Sequence, residues 1–213
     1  MKNIIFDLDG TLTDSEEGIT KSVEYALKHF DIPVESRKSL RKFIGPPLKD
    51  SFMNFYGFSD EKAEKAIGIY REYFKDKGLF ENKPYGGIKE LLEKLENNLY
   101  IATSKPEVFA VEILEHFGFA KYFKDITGAT LDGKFVEKDD IIEKVVTDHQ
   151  LQRDNTVMIG DRSHDIYGAK KNHLSSIGVL YGYGSQKELE EAGADRIVHT
   201  VEELEKLLLE EVE

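Results

Sequence analysis

The chain has 213 residues, 40% of them hydrophobic, which is enough to bury a sizeable core in one or two domains. Its 41 acidic and 29 basic residues leave a net charge of −12, which argues against nucleic acid or an anionic membrane surface as partner, since both need a basic field. Without cysteine there is no disulfide scaffold, thiolate nucleophile or cysteine-ligated zinc; with no apolar run near the roughly 20 residues that span a bilayer, and no signal-peptide pattern after Met1, a soluble cytoplasmic protein is expected.

Asn3-Ile4-Ile5-Phe6 is a short apolar, β-branched run that reads as a strand buried on both faces. It ends in Asp7-Leu8-Asp9-Gly10-Thr11, where Gly10 lets the chain turn away at once. Taken alone, this is either a reactive site at a strand end or an ordinary acidic turn. Residues 15–82 carry no strand pattern. Ile19, Val23, Leu27 and Phe30 recur at helical spacing until Asp31-Ile32-Pro33, and a turn at Ile44-Gly45-Pro46-Pro47-Leu48 has a short helix on either side. Ala63, Ala66, Ile67, Tyr70 and Phe74 then mark a helix that runs from Ser59-Asp60 toward Lys77-Gly78.

From Pro84 onward strands and helices alternate. Strands are predicted over Leu99–Ala102, Asp125–Ala129, Thr156–Ile159, Ser176–Leu180 and, at the edge, Arg196–Val198. Helices are predicted around Ile88–Leu95, Pro106–Phe117 and Ile141–Val146, from Asp165, and after the capping boxes Ser185-x-x-Glu188 and Thr200-x-x-Glu203. The acidic tail Glu202–Glu213 reads as a solvated helix face. The implied architecture is an α/β fold: a doubly wound, Rossmann-like parallel sheet (residues 1–14 and 83–213) interrupted by an all-helical cap (residues 15–82).

If the first strand ends in a reactive site, its neighbours should end in complementary groups. The strand at Ile101 ends in Thr103-Ser104-Lys105 with a helix expected directly after, so hydroxyls and free amides would offer an anion site. Ser104-x-x-Glu107 is also an ordinary capping box, and the two roles are compatible. The strand at Ile159 ends in Gly160-Asp161-Arg162-Ser163-His164-Asp165. Carboxylates converging on one rim repel unless a cation lies between them, and hard oxygen ligands suit Mg²⁺. Lys138 is the first candidate for an accompanying ammonium and Lys105 the second; Arg162, His164 and the other histidines have no assigned role.

These groups suit one reaction. A carboxylate attacking a phosphate ester meets its charge: two unit charges 4 Å apart repel by about 4 kcal/mol at an effective dielectric near 20. A metal ion and a lysine would offset that repulsion, Asp7 would attack phosphorus, and Asp9 would protonate the leaving alkoxide. A halide leaves without a proton, so the second aspartate favours phosphoryl transfer over dehalogenation.

Asp7 to Ser15, Ala102-Thr103-Ser104-Lys105, Lys138 and Gly160-Asp161-x-x-x-Asp165 together resemble the four ordered motifs of the haloacid dehalogenase superfamily. The position of the helical insert and the stretch Phe43–Leu48 resemble its phosphoglycolate-phosphatase-like branch. The resemblance implies Asp7 as nucleophile and Asp9 as general acid/base, with Thr11, Thr103, Ser104 and Lys138 on the phosphoryl group. It implies Asp7, Asp9 (through its backbone carbonyl), Asp161 and Asp165 around Mg²⁺, with Asp165 direct or one shell removed. The expected activity is hydrolysis of a small phosphorylated metabolite by a monomer or homodimer. A 5'-nucleotidase, a pyrophosphatase, a sugar-phosphate mutase and, outside enzymes, a receiver-type phospho-acceptor remain as alternatives. Arg41, Lys42 and Lys49 flank the cap stretch, as solvated residues or as contacts to an anionic substrate tail. The cap would close over substrate about hinges near Thr13-Asp14 and Asn82–Pro84.

Overall fold

The structure, a computed structural model, describes residues 2–210; Met1 and the last three residues of the acidic tail, 211–213, lie outside the described residues. Two compact units form, one from Met1–Thr13 with Pro84–Glu213 and one from Asp14–Lys83.

The first unit is built on a parallel sheet. Strand β1 (Asn3–Phe6) leads into the short β2 (Thr13–Asp14). After the helical region, which holds helices α1 to α3, the chain returns through β3 (Lys83–Pro84), which pairs with β2, and then helix α4 (Ile88–Lys94). The remaining strands are β4 (Asn98–Pro106), β5 (Phe123–Ala129), β6 (Thr156–Gly160), β7 (Ser175–Val179) and β8 (Arg196–Val198), in the spatial order β5-β4-β1-β6-β7-β8. All five pairings are parallel. That requires covering on both faces and explains why Ile4, Ile5 and Phe6 are all fully buried rather than alternating.

The second unit holds α1 (Glu16–His29), a 3₁₀ turn over Arg37–Phe43, α2 (Leu48–Tyr56), α3 (Asp60–Tyr73) and a π-helical turn over Phe74–Gly78. In α1, Ile19, Val23, Ala26 and Leu27 are buried, with Glu16 and Glu17 at the positive end of the helix dipole and Lys28 and His29 at the negative end. The chain leaves through Asp31 in a left-handed conformation, φ 55°. Ser59 caps α3 by accepting the Lys62 amide at 3.3 Å. An aromatic cluster joins the 3₁₀ turn, α2 and the residues after it: the Phe43 and Phe52 rings lie 5.0 Å apart edge-on, and Phe52 stacks on Phe58 at 5.7 Å.

In the first unit, the sheet is covered by α5 (Glu107–His116), α6 (Lys138–Asp148), α7 (Ser163–Lys171), α8 (Gln186–Ala192) and α9 (Val201–Glu210). Ile141, Ile142, Val145 and Val146 of α6 pack with Ile5, Tyr100 and Met158 in one buried cluster; each such aliphatic side chain contributes about 1.5–3 kcal/mol. Ser185 and Thr200 do accept the Glu188 and Glu203 amides, each at 3.2 Å. Ser104 does not cap. Strand β4 continues through Pro106, α5 starts at Glu107 without a side-chain cap, and the Glu107 carboxylate accepts the Gly128 amide at 3.3 Å.

Candidate active site

Strand register sets the level of every group at the rim. Phe6 lies opposite Ile101 on one side and Ile159 on the other, so Asp7, Thr103 and Asp161 leave adjacent strands at one end of the sheet. The chain steps from β1 outward to β4 and β5, then returns to β6 on the other side. The β1/β6 boundary is therefore the point where the winding reverses, which is where open α/β sheets hold ligands.

Beyond Phe6 the backbone turns sharply. The Leu8 carbonyl accepts the amides of Thr11, Leu12 and Thr13 at 3.0–3.3 Å, and Gly10 sits at φ 88°, a conformation disfavoured for other residues. A β-carbon on Gly10 would lie 2.3 Å from Asp161 Oδ2, so glycine also lets the turn close against that carboxylate.

The first residue of α6, Lys138, reaches back into the cluster. Its ammonium donates to Asp7 Oδ1 at 2.6 Å and to the Ala102 carbonyl at 2.9 Å, and stands 2.9 Å from Asp165 Oδ1. Asp165, in the first turn of α7, accepts the Arg162 amide through Oδ2 at 3.0 Å. Asp161 Oδ2 accepts the Tyr183 amide at 2.7 Å, while its Oδ1 is buried with no hydrogen-bond partner among the described residues. Asp9 Oδ2 meets Lys105 Nζ at 2.8 Å, and Asp9 Oδ1 is likewise buried and unpartnered.

Burial pushes the Asp7 carboxyl up to about 6; Lys138 opposes the rise, and Asp165 and Asp9 add to it. Burial, then the nearby charges of Asp165 and Asp7, holds Asp161 well above the usual carboxylate range. Burial by itself would lower Lys138, but Asp165 and Asp7 reverse the sign and keep it an ammonium. Asp7, Asp161 and Asp165 bring oxygens within 4.8 Å of one another. Three buried carboxylates against one ammonium leave an excess of negative charge, and Asp161 Oδ1 has no hydrogen-bond partner among the described residues. That donor set fits a divalent cation held by oxygen ligands.

A family model described as haloacid dehalogenase-like hydrolase matches residues 4–179. The chain belongs to this family. The hydrolase is 49% identical over 190 residues to a 5'-nucleotidase of Pseudomonas aeruginosa, covering 88% of this chain and 86% of that one. It is 28% identical over 215 residues to a phosphoglycolate phosphatase of Vibrio parahaemolyticus, covering 96% and 94%. The crystal structure of a predicted phosphatase from Clostridium acetobutylicum superposes with a TM-score of 0.96 at 55% identity, covering 98% of both chains. This is an enzyme of the hydrolase and phosphatase kind, with a helical region (α1–α3) inserted after β2, as the sequence reading expects; the receiver-type alternative falls.

The sequence of this hydrolase predicts Asp7, Asp9, Thr11, Thr103, Ser104, Lys138, Asp161 and Asp165 at one site. Asp7, Lys138, Asp161 and Asp165 form one contiguous cluster. The Asp9 side chain stands outside that cluster, against Lys105. Thr103 is buried, and its hydroxyl accepts the Lys105 amide at 3.2 Å; the Thr11 hydroxyl is buried without a partner. Ser104 is only half-buried. Within the helical unit, Arg41 pairs with Glu16 at 2.7 Å, Lys49 with Asp60 and Glu64, and Lys42 lies over the Phe55 ring.

Two contributions escaped that reading. One is the Lys105–Asp9 pair, which the β-strand parity of Thr103 and Lys105 could have flagged had the helix not been expected to begin directly after Lys105. The other is the Tyr181–Gly184 segment: Tyr181 Oη donates to the Thr11 carbonyl at 3.1 Å, and the Tyr183 amide holds Asp161. The two unexplained residues now have surroundings. Arg162 Nε donates to Glu188 at 2.9 Å, which fixes the start of α7. Burial lowers the His164 pKa, and its Nδ1 has no hydrogen-bond partner. Among the described residues, no helix is long and apolar enough to cross a membrane.

Proposed function

We propose that this enzyme is a Mg²⁺-dependent 5'-nucleotidase, releasing phosphate from nucleoside 5'-monophosphates through a phosphorylated Asp7. The buried Asp7–Lys138–Asp165–Asp161 cluster supports the chemistry. The likeness to a 5'-nucleotidase along 88% of the chain carries the substrate class and ranks it above phosphoglycolate. Pyrophosphate and sugar phosphates follow.

In this reading Lys138 fixes the rotamer of Asp7, so one carboxylate oxygen is held while the other is free to attack phosphorus. The P–O bond to the ribose breaks as the Asp7–phosphorus bond forms, and Asp9 gives its proton to the departing alkoxide. Water then attacks phosphorus, Asp9 takes a proton from it, and Asp7 is released. Thr11, Thr103, Ser104 and Lys138 bind the phosphoryl oxygens. Asp7, Asp161, Asp165 and the Asp9 carbonyl would hold a Mg²⁺ ion, which would supply positive charge against those oxygens.

Phosphate release over a panel of the 5'-monophosphates, phosphoglycolate, glucose 6-phosphate and pyrophosphate tests the proposal. A nucleoside monophosphate should give the highest kcat/KM, and Asp7→Asn should lose on the order of 10³-fold or more in kcat. A panel led by phosphoglycolate, an isomerised rather than hydrolysed sugar phosphate, or full turnover by D7N would refute it.

A further inference from the structure

We infer that Lys105 is the residue that orients Asp9, pinning its Oδ2 so that Oδ1 is the oxygen that exchanges protons with the leaving group and then with water. The inference rests on the 5'-nucleotidase reading above and adds a division of labour between Lys105 and Lys138.

Three observations carry it. First, Lys105 and Asp9 are both buried, and their charged atoms are 2.8 Å apart. A buried ammonium against one carboxylate oxygen restricts the carboxylate's rotation, a constraint that water at an exposed site would not supply. Among the described residues Asp9 Oδ1 is left buried without a hydrogen-bond partner, in keeping with an atom whose partner is the reacting group.

Second, the backbone is shaped to deliver this side chain. Pairing of β4 with β5 is regular from Tyr100 to Thr103 and then shifts register before Pro106. Such irregularities re-aim side chains beside active sites. On the neighbouring strand Gly128 fits the distortion: a β-carbon there would lie 2.7 Å from the Lys105 carbonyl oxygen and 2.6 Å from Glu107 Cα.

Third, the other lysine is engaged elsewhere. Lys138 lies between Asp7 and Asp165 and donates to the Ala102 carbonyl. One ammonium therefore serves the nucleophile and the other the proton carrier.

The proton balance is simple. In the first step the Asp9 proton passes from Oδ1 to the ester oxygen as the P–O bond breaks. In the second, the water that attacks phosphorus returns a proton to Oδ1. Lys105 keeps its own proton throughout.

This assignment predicts a dependence on leaving group that a general loss of structure would not produce. A ribose 5'-alkoxide needs a proton to depart, whereas p-nitrophenolate is a stable anion that leaves without one. The measurement is kcat/KM, which reports steps up to phosphoryl transfer, for AMP and p-nitrophenyl phosphate with the 213-residue chain and Mg²⁺. Lys105→Met should lose about 10²-fold on AMP, at the low end of what positioned acid catalysis provides, and far less on p-nitrophenyl phosphate. Lys105→Arg should recover much of the AMP rate. In an Asp9→Asn background, Lys105→Met should cost little more on AMP, because the group it orients is already gone. Should the methionine variant not fold, Lys105→Gln, which keeps a donor toward Asp9, should show the same contrast with smaller amplitude.

Equal losses on both substrates, or an AMP rate untouched in Lys105→Met, would overturn the assignment. A wild-type enzyme that releases phosphate from neither ester would instead bring down the 5'-nucleotidase reading, and this inference with it.

Discussion

At the scale of single residues, the site is a concentration of negative charge that the fold must tolerate. Asp161 shows this best: its Oδ2 is held by a backbone amide, its Oδ1 is unpartnered, and burial with Asp165 and Asp7 nearby raises its carboxyl well above the ordinary value. A carboxyl raised in the folded state binds protons more tightly there than in the unfolded chain, so stability falls as pH climbs from the unfolded value of 3.8 through the folded one. With EDTA present, the wild type should therefore lose stability between mildly acidic pH and pH 8. Asp161→Asn should melt a few degrees higher than wild type at pH 8 in EDTA, since about 1 kcal/mol shifts Tm by roughly 2–4 °C at this size. Millimolar Mg²⁺ should stabilise the wild type and leave the variant nearly unmoved. Differential scanning calorimetry in the two buffers checks both arms; an Asn variant that melts lower in EDTA would show that this carboxylate does not strain the metal-free fold.

Asp7, Asp161 and Asp165 are legible in the sequence because each directly follows a buried strand or lies in the first turn of a helix. Lys138 is legible only once they suggest a phosphoryl group, since a lysine at a helix start is usually solvated. The Tyr183 amide is invisible to such reasoning because every residue has one; only the fold says which amide meets Asp161.

At the scale of elements, the segment after β7 supports the site from behind. Leu180-Tyr181-Gly182-Tyr183-Gly184 links the β7 end to α8, and its contacts with Thr11 and Asp161 tie it to both the β1 and β6 ends. Gly182 makes the approach possible: a β-carbon there would lie 2.3 Å from the Gly10 carbonyl oxygen and 2.4 Å from Asp161 Cβ. Gly182→Ala must displace Asp161 or the Gly10 turn. Groups that orient metal ligands typically contribute 10–100-fold in affinity. A Mg²⁺ titration followed by thermal shift should show Gly182→Ala saturating at about tenfold or higher concentration, with its melting point in EDTA changed far less than its response to the ion; an unaltered titration would remove this segment from the site.

Element boundaries show the same limit of local reading. The helices opened by Ser185 and Thr200 begin where their capping boxes say. The same pattern at Ser104 fails, because pairing with β5 carries β4 on to Pro106 and long-range sheet hydrogen bonds override a local cap.

At the scale of the whole molecule, the periodicity that separates residues 15–82 from the alternating remainder was enough to read an inserted helical region. Sheet order was not written in any local stretch: Asn3 lies opposite both Asn98 and Thr156, pairings that depend on the winding of the entire chain. The two units differ in how their cores are made. The first is an aliphatic sandwich of Ile5, Met158, Ile141 and Val145, while Asp14–Lys83 adds an aromatic cluster, fully buried Phe52 against Phe43 and Phe58, to aliphatic side chains such as Val23, Leu27 and Leu40. Truncating a buried phenylalanine costs about 3–5 kcal/mol, a large part of what holds a helical unit of that size together. If each core stabilises its own unit, Phe52→Ala should accelerate hydrogen exchange across α1, α2 and α3 while the amides of β1 and β6 keep their protection. Peptide-resolved exchange by mass spectrometry reads both regions in one experiment. Acceleration spread equally over β1 and β6 would mean that the aromatic cluster stabilises the entire chain as one cooperative body, and that the acidic site loses its frame whenever the helices open.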